Sequence, residues 1–131
     1  MADKYQEILR TYWGYPDFRG IQRDIIESIA RGEDTLGLMP TGGGKSITFQ
    51  VPALAQKGVC IVVTPLIALM KDQVQHLKAR NILAEASTQD CRAKRFSEYW
   101  KIVFSVKSSF CMFHRNVFLQ NCSKLNCATF R

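Results

Sequence analysis

The carboxyl-terminal stretch of this chain of 131 residues lacks both glycine and proline. All eight glycines fall at or before Gly58, and all four prolines fall at or before Pro65. At average usage, residues 84–131 would contain roughly six of these two residue types. Because glycine and proline are the residues that most often form turns, we assign no fold to this stretch.

The chain also lacks an apolar run of membrane-spanning length and an amino-terminal secretion pattern. These two absences predict a soluble, intracellular protein that has no membrane partner. Disulfides are disfavoured in such a compartment, so the five cysteines are expected to be reduced.

The net charge of +7 is unevenly distributed. Residues 1–83 contain ten Lys or Arg and eight Asp or Glu, whereas residues 84–131 contain eight and three. Four of the five cysteines and six of the eight phenylalanines also follow Leu83. We therefore predict a folded part over residues 1–83 and a tail of unassigned fold over residues 84–131. Our hypothesis is that the tail is out-of-frame or otherwise unrelated sequence.

A glycine-rich segment between Leu36 and Gln50 has the form of a phosphate-binding loop. Three consecutive glycines allow successive backbone N–H groups to turn toward an anion, and the following helix adds the positive end of its dipole. The lysine would reach the terminal phosphates, and the serine hydroxyl would hold magnesium. The usual pattern has glycine where Met39 stands. The segment's candidate residues are Thr41, Gly42, Gly43, Gly44, Lys45 and Ser46.

The spacing of apolar residues predicts an α/β protein. Asp3 can cap the first helix and Gly14 can end it, and Asn81 is a plausible left-handed stop for the last. Alternating strands and helices of this kind begin a parallel sheet. The predicted helices cover residues 4–13, 18–30, 45–55 and 66–77, and the predicted strands cover residues 34–39 and 59–63, the second of them with both faces covered.

Three motifs occur in a specific order. The first is Leu9-x3-Trp13-Gly14-x3-Phe18-Arg19-x2-Gln22-x3-Ile26, the second runs from Met39 to Ser46, and the third runs from Thr64 to Gln73. Together they resemble the RecQ family of ATP-dependent DNA helicases, within superfamily 2. The resemblance covers about residues 5–83.

The resemblance implies an incomplete RecA-like P-loop NTPase lobe, a parallel sheet with flanking helices, that binds ATP and Mg²⁺. It also implies that Tyr15, Arg19 and Gln22 recognise adenine, since a planar amide matches the N6 amine and N7 of the base. In the alternative, Tyr15 is an ordinary turn aromatic and Arg19 is solvated. Thr64 and Lys71 would contact single-stranded or partly duplex DNA, although Lys71 could also be a solvated surface residue.

The chain departs from the family in two respects. Nothing in residues 84–131 matches the Asp-Glu-x-His motif that completes the family's magnesium site, and we found no second motor lobe. We therefore expect no useful ATP hydrolysis or unwinding from this chain alone. The alternatives are a nucleotide-binding fragment without turnover and a product that does not fold. A zinc site is a further alternative for the tail, from Cys111, His114, Cys122 and Cys127.

Overall fold

The computed structural model of the protein describes residues 3–87 and 108–114. The chain divides into two units, Met1–Lys57 and Gly58–Arg131. In the described part, the first unit contains three helices, and the second contains one helix and a parallel sheet. The elements are α1 (Lys4–Trp13), α2 (Gln22–Ala30), α3 (Lys45–Ala55), β1 (Gly58–Thr64), α4 (Ile67–Lys78), β2 (Leu83–Ser87) and β3 (Ser108–His114).

Helix α1 begins and ends at the residues that the sequence predicts. The Asp3 carboxylate accepts a hydrogen bond from the Tyr5 N–H at 3.2 Å. This bond satisfies one of the first backbone N–H groups, which have no acceptor within the helix. At the other end, Gly14 has a φ of 72° and donates to the Arg10 carbonyl at 3.0 Å. Glycine takes this left-handed conformation without strain, and a left-handed residue at the end of a helix allows the chain to reverse direction.

The core of the first unit joins all three helices. Leu9 from α1, Ile26 from α2, and Ile47 and Val51 from α3 are buried together. Tyr5, Ile8, Trp13 and Phe18 are partly buried and pack against this cluster. Each fully buried aliphatic side chain contributes about 1.5–3 kcal/mol relative to an exposed one, so this cluster holds α3 against the other two helices.

Two predictions for the first unit were wrong. Residues 34–39 do not form a buried strand: they have no regular secondary structure, and Leu36 and Leu38 are 86% and 79% exposed. A short apolar run becomes a strand only where a neighbour accepts its hydrogen bonds, and nothing within the run itself supplies one. Helix α2 begins at Gln22 rather than at residue 18: Phe18 and Arg19 have no regular secondary structure, and a turn at Gly20 and Ile21 precedes the helix.

The sheet of the second unit is parallel, which confirms the predicted α/β class. Its strand order is β1-β3-β2, so the central strand comes last in the sequence. Strand β3 pairs along its whole length with β1, from Gly58 opposite Ser108 to Thr64 opposite His114. This strand lies in the stretch to which we assigned no fold. The domain boundary near Leu83 stays a prediction.

Helix α4 packs on one face of this sheet through Met70, Val74 and Leu77, all of which are buried. Strand β3 has two buried residues at alternate positions, Phe110 and Met112. Ala84 of β2 is buried opposite Phe110. On the other face of β1, Ile61 lies opposite Cys111 and Val63 opposite Phe113. Ile61 and Val63 are 43% and 45% exposed, so the predicted coverage of both faces of this strand is wrong.

Asn81 ends the α4 segment in the left-handed conformation that the sequence predicts, with a φ of 58°. The Asn81 N–H donates to the Lys78 carbonyl and the Ile82 N–H to the Leu77 carbonyl, each at 3.0 Å. This pair of bonds is the Schellman arrangement, which satisfies the last carbonyls of a helix. Within residues 3–87 and 108–114, no helix is both long and apolar enough to cross a membrane.

Candidate nucleotide site and nucleic-acid contacts

The glycine-rich segment enters its helix through a tight turn. The Gly43 N–H donates to the Pro40 carbonyl at 3.1 Å, which closes a four-residue turn with Thr41 and Gly42 at its centre. Gly42 has a φ of 79°, as the third residue of a type II turn requires. Thr41 and Gly42 are exposed, so this turn presents its tip to solvent.

Gly44 then starts helix α3. It is the N-cap residue, with a φ of 73°, and it has no side chain that could cap the helix. The first N–H groups of any α-helix have no intrahelical acceptor, and the helix dipole makes this end attractive to anions. Lys45 is exposed in the first position of α3, and Ser46 is half-buried in the second. A positive side chain and a hydroxyl therefore stand at an anion-attracting helix end.

Gln22 connects this loop to the segment before α2. Its side chain is only 4% exposed, and its Nε2 donates to the Gly43 and Gly44 carbonyls at 3.2 and 3.1 Å. Its Oε1 accepts from the Arg19 N–H at 2.8 Å. A Cβ atom at Gly44 would collide with Gln22 Nε2. The predicted adenine-reading amide thus lies directly against the glycine loop.

Tyr15 and Arg19 are both exposed and lie beside each other. The guanidinium carbon of Arg19 is 5.6 Å from the centroid of the Tyr15 ring, within the range of a cation–π contact. Since the Arg19 backbone is bonded to Gln22, a continuous series of contacts runs from Tyr15 to Gly44. The structure therefore brings together the three residues that the resemblance assigns to adenine and the loop that it assigns to phosphate.

The turn that carries Tyr15 is held by side chains that the sequence analysis did not single out. Gln6 Nε2 and Arg10 Nε both donate to the Pro16 carbonyl at 3.1 Å. Gln6 and Arg10 are four residues apart on α1 and therefore share one helix face. The four-residue spacing is visible in the sequence. Because an amide and a guanidinium on a polar helix face are usually solvated, the spacing alone does not indicate that Gln6 and Arg10 hold the turn.

Arg23 holds the same turn from α2. Its Nη1 is 2.6 Å from Asp3 Oδ2, its Nη2 is 3.6 Å from Asp17 Oδ1, and its guanidinium carbon is 5.3 Å from the centroid of the Phe18 ring. The hydrogen bond with Asp3 is the main reason why the pKa of Arg23 is raised. Exposed ion pairs contribute little individually, but here several of them converge on one arginine.

The oxygen ligands near the loop fit magnesium that is held through a nucleotide. Ser46 offers one hydroxyl oxygen, and no cluster of three or more His, Cys, Asp or Glu occurs among the described residues. Mg²⁺ typically binds through one or two protein oxygens together with substrate phosphates and water rather than in an all-protein cage. The residues present match that arrangement.

The predicted nucleic-acid residues belong to the second unit. Thr64 ends β1, and its hydroxyl accepts from the Leu66 N–H at 3.4 Å. Lys71 is exposed on α4. Of the possible zinc ligands, Cys111 is buried in β3, whereas Cys122 and Cys127 lie outside the described residues. Burial raises the pKa of the other described cysteine, Cys60, to about 11.

Residues 19–124 match the family model of the DEAD/DEAH box helicases, and the chain belongs to that family. Its parallel sheet and packed helix agree with a partial RecA-like lobe, as the sequence predicts. The curated relatives it resembles are RecQ helicases. It is 50% identical over 86 residues to the "ATP-dependent DNA helicase RecQ" of Synechocystis, which covers 64% of this chain and 18% of the relative.

Two further relatives agree with this family. The "Probable ATP-dependent DNA helicase RecS" of Bacillus subtilis is 49% identical over 77 residues, which are 59% of this chain and 16% of the relative. The "RecQ-like DNA helicase blm-1" of Caenorhabditis elegans is 41% identical over 93 residues, which are 71% of this chain and 9% of the relative. The chain thus spans less than a fifth of the length of these relatives. The predicted RecQ membership is confirmed.

Proposed function

We propose that the chain binds Mg-ATP at the amino-terminal end of α3. Lys45 contacts the terminal phosphates, Ser46 supplies an oxygen to magnesium, and the backbone of Thr41 to Gly44 surrounds the phosphate groups. Tyr15, Arg19 and Gln22 contact the base, for which the Gln22 amide exchanges its bonds to the loop carbonyls and to Arg19. Hydrolysis and strand separation belong to the longer family members, in which further motifs complete the machinery.

The observation that carries this proposal is the position of Gln22. Its amide bonds the Gly43 and Gly44 carbonyls on one side and the Arg19 backbone on the other. Carbonyls that face Gln22 leave the opposite side of the peptide units, with their N–H groups, for an anion. The base-binding residues and the phosphate-binding loop therefore form one continuous surface rather than two separate features.

A binding measurement with a matched lysine control tests the nucleotide proposal. Lys45→Ala removes the proposed phosphate contact, and Lys57→Ala removes another exposed lysine of the same unit. A hydrogen bond to a charged group is worth about 1.5–3 kcal/mol, so Lys45→Ala should weaken Mg-ATP binding by at least about tenfold. Calorimetry or fluorescence titration of the three proteins measures this, and equal affinity for all three contradicts the proposal.

We also propose that Thr64 and Lys71 contact the backbone of single-stranded DNA. Thr64 lies at the carboxyl end of a parallel strand, which is the edge where open α/β sheets bind ligands. Lys71 would neutralise one phosphate. The affinity of Lys71→Ala for an oligothymidylate should be lower at low salt, and its salt dependence should be less steep by about 0.7 in log–log slope. A salt dependence equal to that of the unchanged chain and of Lys57→Ala contradicts this contact.

Phosphate release separates binding from turnover. Because the sequence contains no Asp-Glu-x-His motif, we expect Lys45-dependent binding of Mg-ATP without measurable hydrolysis. Hydrolysis that Lys45→Ala abolishes would instead show that another carboxylate of the chain activates water. The two outcomes distinguish a binding module from an enzyme.

A further inference from the structure

The Pro16 carbonyl accepts two side-chain hydrogen bonds from one helix face. Gln6 Nε2 and Arg10 Nε each lie 3.1 Å from this oxygen. Arg10 also accepts the Gly14 N–H on its own carbonyl, so the chain reverses at Gly14 and returns along the end of α1. Both side chains therefore hold the Pro16–Asp17 peptide, one residue after Tyr15.

This attachment sets the position of Tyr15 and not that of the phosphate loop. Tyr15 is 44% exposed, and the aromatic contact that the structure gives it is with Arg19, itself exposed. The orientation of the ring thus depends on the backbone of the turn. The glycine loop is held differently, by hydrogen bonds from Gln22 and within the Pro40 turn, whereas the side-chain bonds of Gln6 Nε2 and of Arg10 Nε go to Pro16.

We infer that Gln6 and Arg10 are positioning residues for base recognition: by holding the Pro16 carbonyl, they place the Tyr15 ring where the base of a bound nucleotide stacks. The inference rests on the proposed function. In this inference, the part of the nucleotide affinity that comes from the base depends on the polar face of α1. The part that comes from the phosphates depends on Lys45 and the glycine loop. It also explains why two donors converge on a carbonyl that water could satisfy.

The test compares a nucleotide with its phosphate part alone. Gln6→Met combined with Arg10→Met keeps the length of the Gln6 side chain and the aliphatic part of the Arg10 side chain, and it removes both donors. The probes are Mg-ATP and Mg-tripolyphosphate, titrated against the full chain. The double variant should weaken Mg-ATP binding by roughly three- to tenfold, the loss expected from one or two hydrogen bonds, and leave Mg-tripolyphosphate binding unchanged.

Two comparisons distinguish positioning from stability. Arg31→Met is the control, since Arg31 is an exposed arginine of the same unit whose side-chain bonds go to Glu33. It should change neither affinity. Arg10→Lys, in the Gln6→Met background, retains one donor and should recover part of the Mg-ATP affinity. General unfolding would reduce the amount of competent protein for both ligands equally and so leave their affinity ratio unchanged.

Each result decides the matter. A loss confined to Mg-ATP supports the inference. Equal losses for both ligands, or no loss for either, overturn it while leaving the nucleotide site intact. If the unchanged chain binds neither ligand, or binds Mg-ATP equally well after Lys45→Ala, the proposed function itself fails and the inference fails with it.

Discussion

Gly42 and Gly44 both have positive φ angles, of 79° and 73°, but a side chain crowds only one of them. A Cβ atom at Gly42 would have no heavy atom within 4 Å, whereas one at Gly44 would collide with Gln22 Nε2. The substitutions Gly42→Ala and Gly44→Ala are therefore a matched pair. They impose the same backbone strain, and they differ in whether Gln22 is displaced.

The expected free energies follow from these two contributions. A non-glycine residue in the left-handed region costs about 1–2 kcal/mol, which both substitutions share. The loss of unfolded-state entropy is also common to both and cancels in the comparison. Displacing Gln22 breaks its bonds to the Gly43 and Gly44 carbonyls, each worth about 0.5–1.5 kcal/mol. Gly44→Ala should therefore lower the free energy of unfolding by about 1–3 kcal/mol more than Gly42→Ala.

Trp13 provides a local probe, because it packs against the core of the same unit. Urea unfolding followed by tryptophan fluorescence, with Trp100→Phe in every protein, reports the stability of this unit. In a Gln22→Ala background the extra cost of Gly44→Ala should disappear. If the two glycine substitutions cost the same in the unchanged background, or if their difference survives Gln22→Ala, then Gln22 does not support the loop.

Two further predictions concern the second unit. Asn81 has a φ of 58°, which glycine adopts without strain and alanine does not. Asn81→Gly should therefore raise the free energy of unfolding by up to about 1 kcal/mol, and Asn81→Ala should lower it by a similar amount. A reversed order of the two variants in urea unfolding would exclude strain at this residue. Burial raises the pKa of Cys60 to about 11, above its unfolded value, so its contribution to stability is complete below about pH 9 and is lost as the pH rises toward 11. Cys60→Ala should show a smaller decline over this interval, and an identical decline would contradict the raised pKa.

Local features of the chain were the most predictable from sequence. Helix α1 has its apolar stripe, its Asp3 cap and its Gly14 stop within a dozen residues, so its bounds follow from nearby atoms alone. Residues 34–39 have an equally apolar pattern, but a strand needs a partner from elsewhere in the chain. Strand β3 was missed for the same reason, since its place between β1 and β2 depends on pairing over long sequence separations.

The candidate site shows a similar division. The candidate phosphate loop and the candidate adenine contacts could be chosen from the sequence, because their residue types and spacing match a known motif, and their roles stay predictions. The bonds from Gln22 to Gly43 and Gly44 could not, since a planar amide fits two backbone carbonyls as well as it fits a base. The attachment of Pro16 to Gln6 and Arg10 depends on a chain reversal that only the backbone geometry reveals.

The late position of β3 in the sequence determines when the sheet can form during synthesis. Strands β1 and β2 are both made before the strand that joins them, and they do not pair with each other in the described sheet. At typical elongation rates, the ribosome takes roughly 1–5 s to make the residues between Ser87 and His114. During that interval the apolar side of α4 has no complete sheet to cover it. The sheet can therefore close only once β3 has been made, so its completion comes late in the synthesis of the described part of the chain.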